Sequence, residues 1–128
     1  MAPLAMRERL GRFSTFHGET GIDFGDLPVI DVGNWPASEL SMEEVPIELR
    51  RLAEALDETT LTLYLGGDNA ITRPLVAAMG DLERVGVLTF DAHHDVRSLE
   101  RGPTNGTPIR GLIEQDGLLV ERVQLAVD

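Results

Sequence analysis

The hydrophobic positions along the chain change spacing repeatedly, and each spacing predicts a different secondary structure. Apolar residues three or four positions apart predict helices at 3–13, 41–56, 72–79 and 108–115. Short apolar runs predict strands at 27–32, 60–65, 85–90 and 122–127. A glycine-rich stretch at 17–25 is predicted to be a loop. Because helices and strands alternate, the pattern predicts an α/β fold in which helices cover a parallel sheet.

The second predicted helix has the strongest start signal in the chain. Ser41 lies three residues before Glu44, which is the spacing of a capping box, and Pro46 falls in the first turn. The third predicted helix has Pro74 near its start and Gly80 after its end. Proline at the beginning and glycine at the end of a helix are typical of these positions.

Polar residues follow two of the predicted strands directly. The apolar run 85–90 (VGVLTF) predicts a strand that is buried on both faces, and Asp91 to Asp95 come immediately after it. Gly66-Gly67-Asp68-Asn69 follow the preceding predicted strand. Ligands of open parallel sheets bind at the carboxyl ends of the strands. We therefore expect these two motifs to meet at one edge of the sheet.

Composition limits the kinds of partner. The chain has 128 residues, 42% of them hydrophobic, which predicts a single folded domain over 1–128. No apolar run reaches the roughly 18 residues that cross a bilayer, and no signal peptide is recognisable. The chain contains no cysteine, which favours a cytoplasmic location. A formal net charge of −11 argues against nucleic acid and anionic membranes as partners.

The segment after the 85–90 strand contains the residues most suited to catalysis. Asp91, His93 and Asp95 alternate along the chain, so an extended backbone would direct their side chains the same way. Two carboxylates and an imidazole suit a divalent ion such as Mn²⁺, Zn²⁺ or Fe²⁺. Two such ions can activate a shared water for hydrolysis. The alternative, loop carboxylates beside a surface histidine, remains open on spacing alone.

Three segments resemble the ureohydrolase superfamily of arginase, agmatinase and formimidoylglutamase. They are GGDNAITRP, LTFDAHHD and TNGTPIRGLIEQDGL, in the family's order. The resemblance covers 61–118 well and implies an arginase-like, three-layer αβα fold with a mostly parallel sheet. It also implies hydrolysis of a C–N bond in a small guanidino or formimino substrate, with two Mn²⁺ ions and a bridging hydroxide. By position, the resemblance implies that Asp91 bridges both ions, that His93 binds one, and that Asp95 binds the other.

Three further positions are assigned by the same resemblance. Asn69 stands where the family usually has a metal-binding histidine, so it is a candidate but weaker ligand. Asn105 replaces a histidine before Gly-Thr-Pro, and it is a candidate for substrate binding by hydrogen bonds. Arg97 follows the metal motif as in formimidoylglutamases, where it would hold a substrate carboxylate. A surface arginine is the alternative for Arg97.

The family's second aspartate pair, in a Ser-x-Asp-x-Asp segment, does not occur in this sequence. We therefore expect a truncated, partial domain, and a homo-oligomer for the full-length protein. The leading hypothesis is a formimidoylglutamase- or agmatinase-like enzyme. A fragment of this fold without independent activity is the main alternative. A third hypothesis is an unrelated domain that binds phosphate at Gly66-Gly67, but the sequence lacks the usual phosphate-binding glycine motifs.

Overall fold

A computed structural model describes residues 2–36, 39–41, 44–54 and 61–126. The chain divides into two compact units, the first comprising Met1–Pro36 with Leu65–Gly67. The second comprises Ala37–Tyr64 with Asp68–Asp128. The parts of the predicted elements that fall on 42–43, 55–60 and 127 lie outside the described residues. The single domain expected over 1–128 stays a prediction.

The first unit contains one helix and one short hairpin. Helix α1 spans Ala2–Leu10, so the predicted helix is present but ends before Gly11. None of its residues is buried. Strands β1 (Phe16–His17) and β2 (Ile22–Asp23) pair antiparallel within the segment that was predicted to be a loop. The Gly21 N–H donates to the His17 carbonyl at 2.9 Å, and the φ of Gly21 is +69°, a conformation that glycine adopts readily.

The helices of the second unit lie where the sequence predicts them. They are α2 (Glu44–Glu54), α3 (Thr72–Ala77) and α4 (Pro108–Glu114). The capping box of α2 is confirmed: the Ser41 N–H donates to Glu44 Oε2 at 2.8 Å, and the Glu44 N–H donates to Ser41 Oγ at 3.3 Å. No helix among the described residues is long and apolar enough to cross a membrane.

One parallel strand pair is present in the described residues. Strand β3 (Val87–Phe90) runs parallel to β4 (Val123–Ala126), with Val87 opposite Val123 and Phe90 opposite Ala126. Parallel pairing is therefore confirmed, and the three-layer arrangement stays a prediction. The prediction that β3 is buried on both faces was wrong, because Leu88 is 55% exposed and Phe90 is 82% exposed. Among the described strands, β3 has only β4 as a neighbour.

Two other predicted strands are not formed in the described residues. No sheet pairing occurs at 27–32 or 61–65. Their apolar side chains are exposed, and Leu61 reaches 95%. A strand requires a neighbour that accepts and donates its backbone hydrogen bonds, and no other described segment pairs with these two. An apolar run by itself does not supply that neighbour.

The core of the second unit lies beneath α4. Leu82, Ile109, Leu112 and Leu118 form one buried cluster, against which β3 and β4 pack through their first residues. The N-cap residue of α4, Thr107, is also buried, and its hydroxyl donates to the Thr104 carbonyl at 2.9 Å. The beginning of α4 is therefore fixed firmly, and it lies beside the polar loop that follows β3.

Candidate metal and substrate site

The loop after β3 begins with a paired aspartate and histidine. Asp91 Oδ1 accepts a hydrogen bond from the His93 N–H at 2.8 Å, and His93 Nδ1 lies 3.2 Å from the same oxygen. The two side chains are 42% and 73% exposed, respectively. The backbone N–H of His93, followed by its ring, lowers the pKa of Asp91 below the ordinary value. Asp91 is therefore ionised at neutral pH, as a metal ligand must be.

The other end of the loop is held through its backbone. Asp95 has a φ of +55°, a left-handed conformation that aspartate tolerates better than most residues. Its carbonyl accepts hydrogen bonds from the N–H groups of Ile109 at 3.2 Å and Arg110 at 3.3 Å, in the first turn of α4. These N–H groups have no partner within the helix. Asp95 is therefore attached to the buried helix, whereas Asp91 and His93 are not.

The side chain of Asp95 contacts Asn69. Asn69 Nδ2 donates to Asp95 Oδ2 at 2.6 Å and to the Asn105 carbonyl at 3.0 Å. The Thr72 hydroxyl donates to Asn69 Oδ1 at 2.7 Å. Asn69 begins a short 3₁₀ turn, and Asp68 caps that turn by accepting from the Ala70 N–H at 2.8 Å. Three segments of the second unit therefore meet at one amide group.

Arg97 lies over Gly106, in the loop before α4. The Arg97 N–H donates to the Gly106 carbonyl at 3.0 Å. A Cβ atom added to Gly106 would be 2.8 Å from Arg97 Cδ, so any larger residue at this position would displace the Arg97 side chain. Arg97 is exposed, and no ion pair joins it to another described residue. Asn105, beside Gly106, is also exposed.

The structure thus brings the predicted residues together in two groups rather than one. The side chains of Asn69 and Asp95 share one hydrogen-bond network with the backbone carbonyl of Asn105, and Asp91 pairs with His93. The donors are of the kinds that bind Mn²⁺. Within the described ranges, however, no three His, Asp or Glu side chains are gathered closely enough to hold one metal ion. The assignment of Asp91, His93, Asp95 and Asn69 as ligands therefore stays a prediction.

Sequence reasoning missed two contributors to this arrangement. Thr72 was expected only to begin a helix, yet its hydroxyl also orients Asn69. The spacing of three residues between Asn69 and Thr72 was the available signal, because residues one turn apart meet on a helical turn. Gly106 makes room for the Arg97 side chain. The glycine beside Asn105 was the available signal for this contact, and it was a weak one.

Comparison with known proteins supplies the family. A family model described as the Arginase family matches residues 1–126. The chain is 35% identical to a formimidoylglutamase of Halalkalibacterium halodurans, over 98% of this chain and 41% of that protein. It is 37% identical to a formimidoylglutamase of Halobacterium salinarum, over 88% of this chain and 37% of that protein. The chain thus spans about two fifths of the length of these relatives.

A solved structure shows the same fold. The crystal structure of formimidoylglutamase from Bacillus subtilis superposes with a TM-score of 0.75 at 29% identity, over 97% of this chain and 40% of that one. This similarity confirms the α/β ureohydrolase fold, and the family that the three sequence motifs indicated is confirmed as well. The chain belongs to the arginase family.

Proposed function

We propose that this chain carries part of the active site of a Mn²⁺-dependent hydrolase. The reaction is cleavage of a C–N bond in a formimino or guanidino substrate, with formimidoylglutamase activity preferred over agmatinase-like activity. Membership of the arginase family and the similarity to proteins named formimidoylglutamase support this choice. The observation that carries it is the Asp91–His93 pair, which lies exposed and partly pre-formed just after β3.

Asp91 and His93 are the residues that would hold a metal ion. Asp91 uses Oδ1 for both of its contacts with His93. When His93 Nδ1 carries the proton and donates it to Asp91, the lone pair of Nε2 is available for a metal on the side of the ring away from Asp91. For Asp91 and His93 to bind the same ion, this hydrogen bond would have to break. A bound Mn²⁺ would lower the pKa of a coordinated water and so provide a nucleophile near neutral pH. The resemblance assigns Asp95 to a second ion, and its side chain already contacts Asn69.

Substrate recognition would use the loop between β3 and α4. Arg97 presents an exposed guanidinium group whose path is set by contact with Gly106. Such a group binds a carboxylate through two parallel hydrogen bonds. Asn105 lies next to this contact and offers both a donor and an acceptor. The two residues therefore favour a substrate that carries a carboxylate as well as the reacting amidine carbon.

The test is an assay of product release by the chain supplied with Mn²⁺. Formamide released from N-formimino-glutamate and urea released from agmatine would be measured side by side. We expect formamide, which Asp91→Asn abolishes and Arg97→Ala reduces. Arg101→Ala is the matched control, because Arg101 is an exposed arginine of the same loop. Absence of both products from a folded chain with bound Mn²⁺ would contradict the proposal.

A second candidate is a member of this family without activity of its own. The separation of the predicted ligands into two groups favours it, because fewer ligands bind a metal more weakly. This candidate predicts a folded chain that releases neither product at any Mn²⁺ concentration. It also predicts that Asp91→Asn changes nothing in the assay.

Several broader expectations belong to the same proposal. They are the three-layer αβα sheet, a homo-oligomer at full length and a cytoplasmic location. Family membership supports the first two. The absence of cysteine supports the third, and the net charge of −11 supports a small molecule as the partner rather than nucleic acid.

A further inference from the structure

The side-chain amide of Asn69 is oriented without ambiguity. Its nitrogen contacts Asp95 Oδ2 and the Asn105 carbonyl, and both of these oxygens only accept hydrogen bonds. Exchanging the amide nitrogen and oxygen would place one acceptor against two others. The Thr72 hydroxyl, which can donate, contacts the opposite end of the amide at 2.7 Å. Donor and acceptor groups therefore match at all three contacts.

This orientation places the positive end of the amide dipole against a carboxylate. Both N–H groups of Asn69 point toward oxygens, and the one toward Asp95 is short at 2.6 Å. A hydrogen bond from an amide to an ionised carboxylate is stronger than one between neutral groups. A metal ion bound to Asp95 Oδ2 would have to approach past these N–H groups, which would repel it.

The same amide also fixes the loop that carries the substrate-binding candidates. Asn69 holds the Asn105 carbonyl, and the next carbonyl along the chain, that of Gly106, accepts from the Arg97 N–H at 3.0 Å. Asn69 thus contacts Asp95 directly, and it contacts Arg97 indirectly, through the 105–106 backbone. Loss of the Asn69 side chain would remove one contact from each segment, while the Asp95 carbonyl would stay bound to the first turn of α4.

We propose that Asn69 is a positioning residue rather than a metal ligand: its amide holds Asp95 Oδ2 without a metal, so that a divalent ion in this loop binds through Asp91 and His93 while Asp95 Oδ2 stays bound to Asn69. The metal-binding half of this statement rests on the proposed function. The positioning half does not, because it concerns hydrogen bonds that need no ion.

The decisive experiment replaces the donor with an acceptor. Asn69→Asp removes both N–H groups and places a second carboxylate beside Asp95. We expect the Mn²⁺ affinity, followed by the paramagnetic resonance signal of free Mn²⁺, to rise by about tenfold or more. Asp95→Asn in the same variant should abolish the gain, although Asp95→Asn alone should leave the wild-type affinity within about twofold. Asn34→Asp adds an equal charge in the first unit and controls for net charge.

A spectroscopic measurement separates positioning from general stability. Adding diamagnetic Zn²⁺ to the wild-type chain should move the ring signals of His93 and leave the side-chain amide signals of Asn69 unchanged. Thr72→Val should shift those amide signals, and Thr72→Ser, which keeps the hydroxyl, should restore them. This conservative pair also provides a test if an Asn69 variant fails to fold.

The outcomes distinguish the two proposals. If the wild type binds no Mn²⁺ but Asn69→Asp does, the proposed metal function fails in this chain and the role of Asn69 is supported. If Asn69→Asp fails to raise the affinity, or if Zn²⁺ moves the Asn69 amide signals as much as the His93 signals, the assignment of Asn69 is overturned.

Discussion

The 91–95 loop holds the carboxylates at its two ends by different means. Among the described residues, the Asp91 side chain hydrogen-bonds only to His93, and it remains open to solvent. Asp95 is bound through its carbonyl to the first turn of α4 and through its carboxylate to Asn69. Asp91 is exposed and its described contacts lie within the loop, so it can move to take a ligand, whereas Asp95 is half-buried and bound to two other segments, which limits its movement. The comparison indicates that the Asp91 end is the part available for chemistry, and that the Asp95 end supports it.

The largest expected effect comes from the core beneath the Asp95 end. Leu112→Ala removes a side chain that is fully buried in α4, and it should lower the free energy of unfolding by about 2–5 kcal/mol. Urea unfolding followed by circular dichroism measures this loss. Hydrogen exchange should accelerate at the Ile109 and Arg110 amides, which donate to Asp95, more than at the His93 amide.

Leu119→Ala is the matched control, because Leu119 is 38% exposed. It should change stability only slightly. If both leucine variants lost the same stability, or if exchange accelerated equally at both ends of the loop, the Asp95 end would not depend on α4 as the contacts indicate.

The next effect concerns the amide that holds Asp95. Asn69→Ala removes a hydrogen bond to a half-buried carboxylate and a second one to the Asn105 carbonyl, and it should cost about 1–3 kcal/mol of unfolding free energy. Asp91→Asn should leave the unfolding midpoint close to that of the wild type, because Asp91 is exposed and its hydrogen bonds within the described part of the chain are to His93. If Asp91→Asn lost more unfolding free energy than Asn69→Ala, the Asp91 end of the loop, and not the Asp95 end, would be the one that supports the fold.

A smaller effect is expected where Arg97 crosses Gly106. Gly106→Ala places a methyl group 2.8 Å from Arg97 Cδ and forces the guanidinium group to move. If Arg97 binds the substrate carboxylate, KM should rise by about tenfold, equivalent to roughly 1.4 kcal/mol, while kcat changes little. Gly18→Ala is the control, because no atom of the residues that the structure describes lies within 4 Å of its added Cβ. An unchanged KM would remove Arg97 from substrate binding.

The smallest expected effect is the lowering of the pKa of Asp91. Its pKa is lowered by the backbone N–H of His93 and then by the ring, so its carboxyl ¹³C signal should titrate below the ordinary value of about 3.9. A carboxyl whose pKa is lower in the folded state contributes stability above its unfolded pKa, and this contribution is lost as the pH falls through the folded pKa. The window therefore lies at and below the ordinary aspartate pKa.

His93→Ala sharpens this measurement. It removes the ring and keeps the backbone N–H, which is the larger cause, so most of the shift in the pKa of Asp91 should remain. A return of that pKa to its ordinary value in His93→Ala would mean that the ring dominates the pairing.

The helix starts of the second unit could be predicted from the sequence because neighbouring residues decide them. Ser41 and Glu44 form the capping box that their spacing predicted, and Pro108 begins α4. The outcome for the strands expected at 27–32 and 60–65 could not be judged from neighbouring residues. A strand depends on a partner elsewhere in the chain, and an apolar run carries no information about that partner.

The identity of the candidate site residues was also accessible, through three motifs that resemble one family. The contacts that these residues make in the folded chain could not be predicted from the sequence. Asn69 meets residues 26 and 36 positions further along the chain, Asp95 and Asn105, and such long-range hydrogen bonds depend on the folded backbone. The expected alternation of Asp91, His93 and Asp95 on one side also assumed an extended loop, whereas the φ of Asp95 is +55°. That left-handed residue redirects the chain toward α4.

The most direct test is a Mn²⁺ titration of the wild-type chain beside Asp91→Asn and His93→Gln, with circular dichroism to establish that each is folded. We expect saturable binding by the wild type that either substitution weakens at least tenfold. A folded wild-type chain that binds no Mn²⁺, or that binds it equally well after both substitutions, would contradict the claim that Asp91 and His93 form the metal-binding end of this loop.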